Sequence, residues 1–219
     1  MIKAIAFDFD GVLAESVEVK TKAYAKIFEH ENEDVIQKIV AYHIKHAGVS
    51  RFEKFKTISR DILKRPLSNN TFQSLCTRFS KLVVDEVVAS PGVEGAWKFL
   101  ENNKKLYSFF VVSGTPDEEL KEIIRRRGME KFFDEILGSP KTKDILLNQL
   151  MQKYELKPAE MVFVGDAETD WIGARKTGVR FIWRQISKQE PPLPGFNGPS
   201  IPSMAYLSTC LSEIDTPKT

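Results

Sequence analysis

Acidic and hydroxyl side chains recur in this chain at the ends of short apolar segments. They are Asp8 and Asp10 after residues 5–7, Ser113 after residues 109–112, and Asp166 and Asp170 after residues 161–164. Two carboxylate pairs brought together would repel one another unless a cation neutralised them, and Mg²⁺ prefers hard oxygen ligands of this kind. A carboxylate can also attack a phosphoryl group and form a covalent intermediate. These residue types therefore indicate Mg²⁺-assisted phosphoryl chemistry on an aspartate.

The apolar segments that precede these residues are typical of strands buried on both faces of a parallel sheet. Ligands of open parallel sheets bind outside the carboxyl ends of the strands, so we expect the polar side chains to meet at one edge. From residue 92 onward the pattern alternates, with helices predicted over 94–101, 117–126, 144–154 and 169–176 and strands over 106–112, 161–164 and 179–183. This alternation predicts a doubly wound, Rossmann-like α/β core.

One long segment interrupts the predicted α/β pattern. Residues 16–90 show helical periodicity and little strand character, and Ser90, Pro91 and Gly92 mark a turn back to the sheet. We therefore predict a catalytic core of residues 1–15 and 91–219 and an inserted, all-helical unit of residues 16–90. Residues 191–202 are rich in Pro and Gly and predict an irregular surface loop, followed by a last short helix over 203–214.

Composition excludes several classes of protein. The chain has 219 residues, 32 basic and 30 acidic, so its net charge of +2 gives no reason to expect a nucleic-acid or membrane partner. No apolar segment approaches membrane-spanning length, and the chain opens directly into a strand pattern, so we expect no signal peptide. Cys76 and Cys210 are isolated in the sequence, which favours a reducing cytoplasm over a zinc site or a disulfide framework.

Three motifs carry a resemblance to a known family. They are Asp8-Phe-Asp-Gly-Val12, Val112-Ser-Gly-Thr115 and Gly165-Asp-Ala-Glu-Thr-Asp170. They resemble the first, second and fourth motifs of the haloacid dehalogenase superfamily, occur in that family's order and span most of the chain. The helical segment between the first and second motifs resembles the cap of the phosphoglycolate phosphatase-like branch.

The resemblance implies a role for each acid. Asp8 would be the nucleophile, and Asp10 the general acid and base that protonates the leaving alkoxide and then deprotonates water. An acid at the position of Asp10 favours phosphoryl transfer over carbon–halogen cleavage. Mg²⁺ would bind to Asp8, Asp166 and the backbone carbonyl of Asp10, while Asp170 acts through water or by positioning.

Residues of the second and third motifs would bind the phosphate. The Ser113 hydroxyl and the N–H groups that follow it, beginning at Gly114, would hold the phosphoryl oxygens. The family's third motif supplies a lysine that offsets the acids. Lys143 suits this role because a helix follows it directly, and Lys141 is its rival.

A basic stretch in the predicted cap provides the candidates for substrate binding. This stretch contains one acidic residue, Glu53, and four basic residues, Lys45, Arg51, Lys54 and Lys56. Ser50 and Glu53 have the spacing of a capping box, which predicts a helix beginning at this point. Arg51 and Lys54 could face the active site and bind an anionic substrate, or they could belong to a solvated helix end.

We therefore expect a cytoplasmic, Mg²⁺-dependent phosphatase that acts on a small phosphorylated metabolite, as a monomer or weak homodimer. A phosphosugar mutase of the same family is the first alternative. Such a mutase should carry a histidine about ten residues after the general acid, where this chain has Lys20, with Tyr24 one turn later. The second alternative is a non-catalytic binding module on a hydrolase core, although no catalytic residue is missing.

Overall fold

A parallel β-sheet forms the centre of the computed structural model, which describes residues 1–187 and 192–215. The strands found in these residues are β1 (Ala4–Phe7), β2 (Ser108–Pro116), β3 (Glu135–Ser139), β4 (Met161–Gly165), β5 (Arg180–Arg184) and β6 (Ser200–Ile201). Their order across the sheet is β3-β2-β1-β4-β5-β6, and every neighbouring pair is parallel. The predicted doubly wound, Rossmann-like fold class is confirmed.

Strand β1 lies at the middle of the sheet and sets the geometry of the site. Phe7 is in register with Val111 of β2 and with Val164 of β4. The side chains of Ile5 and Phe7 pack into the apolar core on one face of the sheet, whereas alternate residues pack into the core on the other face. Because Phe7, Val111 and Val164 lie at one level across the sheet, Asp8 lies between the residues of the second and fourth motifs that follow them.

Helices pack on both faces of the sheet and form the segment inserted after β1. The helices of the described residues are α1 (Val17–Ile27), α2 (Glu33–Lys45), α3 (Arg51–Thr57), α4 (Asn69–Ala89), α5 (Ala96–Asn103), α6 (Asp117–Arg126), α7 (Lys143–Lys153), α8 (Glu168–Thr177) and α9 (Leu207–Asp215). Helices α1–α4 occupy the segment predicted as the helical insertion, and α1 packs against α2 and α4. No helix in the described part of the chain is long and apolar enough to cross a membrane.

The structure differs from the predicted elements mainly at the edges of the sheet. Strand β3 was not predicted, and the loop predicted over residues 191–202 contains β6, with Pro191 itself outside the described residues. The strand expected over residues 106–112 starts later and continues to Pro116, so Ser113 and Gly114 lie within β2. The last helix begins with a 3-10 turn, Met204–Tyr206, before α9.

Candidate active site

A cavity of about 780 Å³ lies between the carboxyl ends of the central strands and the helices of the insertion. The sheet edge contributes Asp8, Asp10, Ser113 and Asp166 to its lining, and helices α1–α3 contribute Lys20, His43, Arg51 and Lys54. Thr169 Oγ1 donates a hydrogen bond of 3.1 Å to the backbone carbonyl of Ala47, which holds the loop before α3 against the core. The residues that the three motifs predicted therefore lie around one cavity.

Three buried carboxylates converge at the floor of this cavity. One oxygen each from Asp8, Asp166 and Asp170 lies within 4.8 Å of the other two. The Lys143 ammonium donates to Asp8 Oδ2 at 2.7 Å and forms a second, buried ion pair with Asp170. Burial disfavours the charge on Lys143, but the two carboxylates outweigh it and raise the pKa of the ammonium above its ordinary value.

The Asp166 carboxylate has no ion-pair partner within the described residues. Burial raises its pKa well above the ordinary value, and the nearby carboxylates of Asp170 and Asp8 raise it further. Three carboxylates and one ammonium leave an excess of negative charge in a buried site, which fits the hard oxygen coordination of a divalent cation such as Mg²⁺. Asp170 is less available, because Lys143 and the Ala167 N–H, at 3.0 Å, already contact its oxygens.

The structure separates the two lysine candidates clearly. Lys143 is the first residue of α7, and its buried side chain lies between Asp8 and Asp170. Lys141 is exposed, and its ammonium contacts Gln149 at 3.3 Å. Of the two lysines, Lys143 has the position that the third-motif role requires.

Asp10 lies beyond β1 and is held by three neighbouring side chains. Ser16 Oγ donates to Asp10 Oδ1 at 2.6 Å, and Thr115 Oγ1 contacts Asp10 Oδ2 at 3.1 Å. The Lys20 ammonium forms an ion pair with Asp10 and donates to Thr115 Oγ1 at 2.7 Å. Burial raises the pKa of Asp10, but Lys20 and the three hydrogen bonds outweigh it, so the pKa lies below its ordinary value.

Lys20 and Ser16 were not predicted as site residues. The sequence offered one signal for Lys20, its spacing of ten residues from Asp10 on the first predicted helix of the insertion. Ser16 gave no separate signal, because a serine just before a helix is an ordinary N-terminal residue. Both residues contact Asp10 because α1 follows β1 after a short loop that contains Asp10.

The second motif lies directly beneath the loop that precedes α3. Ser113 Oγ accepts a hydrogen bond of 3.2 Å from the Thr115 N–H, so this N–H is already engaged. A Cβ atom at Gly114 would collide with the backbone carbonyl oxygen of Gly48, which shows that glycine permits the close approach of insertion and core. Gly114 therefore has a packing role in addition to the predicted contact with phosphate.

The two basic candidates of the insertion have different surroundings. Arg51 is paired with Glu119 of α6, donates to Ser80 Oγ at 2.8 Å and lies over the Phe79 ring. The Lys54 ammonium hydrogen-bonds to His43, at 2.8 Å from its Nδ1 atom and 3.1 Å from its carbonyl oxygen, and lies 5.6 Å from the centroid of the Tyr24 ring. Both basic side chains are buried, so neither is the solvated helix end that the sequence left open.

Helix α3 begins at Arg51, as the sequence predicted, but its cap differs from the expected capping box. Ser50 Oγ accepts from the Phe52 N–H at 3.4 Å. The Glu53 carboxylate pairs instead with Lys56 at 2.8 Å on the exposed side of the helix.

Two adjacent side chains at the end of β5 hold the loops of the first and fourth motifs. Trp183 Nε1 donates to the Asp166 carbonyl oxygen at 3.2 Å. Arg184 Nη1 donates to the Gly11 carbonyl oxygen at 3.0 Å and pairs with Glu15. Neither residue carries a signal in the sequence, because each contacts a backbone atom of a distant segment.

Comparison with known proteins identifies the family of the chain. Residues 5–184 match the family described as haloacid dehalogenase-like hydrolase. The chain is 26% identical over 193 residues to a phosphoglycolate phosphatase of Vibrio parahaemolyticus, covering 81% of each chain. It is 25% identical over 191 residues to a phosphorylated carbohydrates phosphatase of Thermotoga maritima, covering 83% of this chain and 84% of the relative. The crystal structure of a predicted phosphoglycolate phosphatase from Haemophilus somnus aligns with a TM-score of 0.77 at 19% identity, covering 96% of this chain and 98% of the other.

The fold and the matched family define a hydrolase, and the chain belongs to the haloacid dehalogenase-like hydrolase family. Within that family it is a phosphoric monoester hydrolase, a phosphatase. The predictions of family and of enzyme class are thus confirmed.

Proposed function

We propose that this phosphatase is Mg²⁺-dependent and hydrolyses a small phosphorylated metabolite through an aspartyl-phosphate on Asp8. The observation that carries the proposal is the convergence of Asp8, Asp166 and Asp170 within 4.8 Å, with Lys143 bonded to two of them. A cavity of about 780 Å³ above these groups suits a small metabolite better than a macromolecule.

The first chemical step uses Asp8 as the nucleophile. A carboxylate oxygen of Asp8 forms a bond to phosphorus while the bond from phosphorus to the substrate's alcohol oxygen breaks. Lys143, at 2.7 Å from Asp8 Oδ2, orients the carboxylate and offsets its charge. The Ser113 hydroxyl and the Gly114 N–H bind the phosphoryl oxygens as their negative charge develops.

Asp10 moves the protons of both steps. It first gives a proton to the departing alcohol oxygen. It then takes a proton from the water that attacks the phosphorus atom of the aspartyl-phosphate, which releases inorganic phosphate and restores the Asp8 carboxylate. Burial raises the pKa of Asp10, but Lys20 and the hydrogen bonds hold it below the ordinary value, so Asp10 is ionised in the free site. The proton that Asp10 gives to the alcohol oxygen therefore enters with the protonated form of the phosphate ester, and the water of the second step returns a proton to Asp10.

Asp8, Asp166 and the backbone carbonyl of Asp10 would hold Mg²⁺, with Asp170 behind them fixing Lys143. When bound, Mg²⁺ offsets the negative charge of the carboxylates and of the transferring phosphoryl group. The unpaired Asp166 carboxylate and its raised pKa support this assignment, because they mark a site with too little positive charge.

The cap side chains would select the substrate. Relatives are named for phosphoglycolate and for phosphorylated carbohydrates, and we propose a metabolite of this size. Arg51 and Lys54 line the cavity, but Glu119 already neutralises Arg51, which leaves Lys54 as the stronger candidate for substrate contact. Two free cysteines support a reducing, cytoplasmic setting, and we propose a monomer or weak homodimer.

Phosphate release by purified protein tests the proposal. The wild type should hydrolyse p-nitrophenyl phosphate and at least one phosphorylated metabolite of a panel, with activity that requires Mg²⁺. Asp8→Asn should remain folded and lose turnover, because an amide is a poor nucleophile. Wild-type rates from Asp8→Asn would contradict the proposal, and an isomerised sugar phosphate without phosphate release would favour the mutase alternative.

A further inference from the structure

Four apolar residues of the cavity lining have no role in phosphoryl transfer. They are Ile44 near the end of α2, Val49 in the loop before α3, Ile172 of α8 and Leu193 in the segment after β5. Ile44 is 59% exposed, and Ile44, Val49 and Ile172 lie outside the two apolar cores that the described residues form. A single exposed apolar side chain is ordinary, but several from separate segments around one cavity mark a binding surface. We call these four residues the apolar wall.

A hydrogen bond between core and insertion brings three of these residues together. Thr169 Oγ1, one turn before Ile172 on α8, donates to the Ala47 carbonyl oxygen at 3.1 Å. Ala47 lies between Ile44 and Val49 in the chain, so these two residues flank the point where the insertion meets α8. Core and insertion therefore build the apolar wall jointly.

The apolar wall begins beside the groups that would bind the phosphoryl group. A Cβ atom at Gly48 would lie 3.3 Å from the Lys143 ammonium, and this ammonium donates to Asp8 at 2.7 Å. Val49 is the next residue in the chain. The alcohol part of a phosphate ester bound at Asp8 would therefore start close to the apolar wall.

The Pro- and Gly-rich segment after β5 holds the fourth residue in place. Leu193 packs into one of the two apolar cores, and its carbonyl oxygen accepts a hydrogen bond of 3.0 Å from the Phe196 N–H. The Phe196 ring packs on Trp171 of α8, with centroids 5.1 Å apart. Pro192 and Pro194, on either side of Leu193 in the chain, also line the cavity. This segment, predicted only as a surface loop, thus contributes an apolar edge to the cavity.

An apolar surface of this kind favours an apolar ligand. Each CH₂ group that a ligand buries strengthens binding about fourfold when it is fully covered, and about twofold when a wall covers one side of it. A hydroxyl group placed against the same surface loses hydrogen bonds to water and weakens binding. Phosphoglycolate and phosphorylated carbohydrates, for which relatives of this chain are named, carry polar groups on nearly every carbon and would leave the apolar wall uncovered.

We propose that the apolar wall binds a hydrocarbon part of the substrate. The substrate is then a phosphate monoester of an alcohol with an apolar body of several carbons. Its phosphoryl group lies at Asp8, and its hydrocarbon part covers the apolar wall. This inference rests on the proposed function and specifies its substrate class.

Alkylphosphonates allow binding to be measured on the wild-type protein with Mg²⁺, because a carbon–phosphorus bond is not hydrolysed by this chemistry. The series is methyl-, propyl-, butyl- and hexylphosphonate. A polar partner for hexylphosphonate is (2-methoxyethoxy)methylphosphonate, which matches it in length and replaces two CH₂ groups by ether oxygens. Calorimetry at several temperatures gives the affinity and the heat-capacity change for each ligand.

Affinity should rise about two- to fourfold for each added CH₂ group. The heat-capacity change of binding should become more negative along the series, because burial of apolar surface has this signature. The ether ligand should bind at least about fourfold more weakly than hexylphosphonate, since two CH₂ groups are lost.

Matched variants locate the effect. Ile44→Thr, Val49→Thr and Ile172→Thr each keep a β-branched side chain and place a hydroxyl in the apolar wall. Each should reduce the gain from methyl- to hexylphosphonate by about two- to fourfold without changing the affinity for methylphosphonate. Ile145→Thr is the control, because Ile145 is also a helical isoleucine, 47% exposed, but lies on α7 outside the cavity. Thermal melts establish that each variant is folded.

An affinity that does not change with chain length would overturn the inference, as would equal binding of hexylphosphonate and its ether partner. A chain-length dependence that survives in all three wall variants, or that falls equally in Ile145→Thr, would also overturn it. Failure of the proposed function would appear differently, as wild-type protein that releases no phosphate from any ester. The phosphonate series gives its result in either case.

Discussion

Replacing Lys143 by Met tests whether this lysine holds the acidic cluster together. The substitution keeps a chain of similar length and removes the ammonium that bridges Asp8 and Asp170, two carboxylates that are almost fully buried. Removing one partner of a buried ion pair costs about 3–5 kcal/mol, because the remaining charges lose their compensation. For a protein of this size, such a loss lowers the melting temperature by roughly 6–20 °C.

The destabilisation should depend on pH in a defined direction. Without Lys143, the pKa values of Asp170 and Asp166, already raised by burial, should rise further. A carboxyl whose pKa is higher in the folded state than in the unfolded state binds more protons when folded, so its charge destabilises the fold at high pH. The gap between variant and wild type should therefore narrow as the pH falls from 8 to 5.

Thermal melts and urea titrations in chelator measure this effect, and p-nitrophenyl phosphate hydrolysis with Mg²⁺ measures activity. Lys141→Met is the matched control, because that side chain is exposed and contacts only Gln149 within the described residues. Its stability should stay within about 0.5 kcal/mol of wild type. A Lys143→Met protein with wild-type stability and activity, or a Lys141→Met protein that loses both, would refute the reasoning.

Three further predictions concern the metal and the two ion pairs of the insertion. Chelator should abolish hydrolysis and excess Ca²⁺ should inhibit it, since Ca²⁺ takes more ligands at longer distances and would draw Asp8 out of line; full activity in chelator would contradict this. Lys20→Met should raise the pKa of Asp10, moving the acid limb of the kcat pH profile to higher pH, and an unmoved limb would argue against the pairing. Arg51→Met should lower the free energy of unfolding, measured by urea titration, by about 3–5 kcal/mol because Glu119 is left buried and unpaired. Arg51→Met/Glu119→Leu should recover most of this loss, and an Arg51→Met protein as stable as the wild type would contradict the prediction.

The central part of the fold could be predicted from sequence because its strands are buried on both faces. Strands β1, β2 and β4 therefore read as continuous apolar segments. The strands that the sequence did not predict, β3 and β6, are the two edges of the sheet. Edge strands are only partly buried, so their apolar pattern is weaker: β3 begins with Glu135, and β6 has a single buried residue, Ile201.

The site residues differ in a similar way: the positions of some follow from the local sequence, and those of others depend on contacts with distant segments. Asp8 and Asp166 could be placed because each directly follows a buried strand, and Ser113 because it follows the buried apolar segment of β2. Ion-pair partners could not be predicted from the sequence, because they depend on contacts between distant segments. Arg51 and Glu119, for example, are 68 residues apart. The same limit left Lys141 and Lys143 undecided, because two positions along the chain determine whether the ammonium reaches Asp8 or solvent.

A covalent phosphate on Asp8 would test the central claim most directly. Asp10→Asn should still permit attack by Asp8 on a substrate with a good leaving group, but it removes the base that activates water, so the aspartyl-phosphate should accumulate. Rapid acid quenching of this variant with Mg²⁺ and p-nitrophenyl phosphate, followed by mass spectrometry, should locate one phosphate on the peptide that contains Asp8. The double variant Asp8→Asn/Asp10→Asn should carry none. Phosphate on another residue, or turnover by Asp8→Asn at the wild-type rate, would contradict the account.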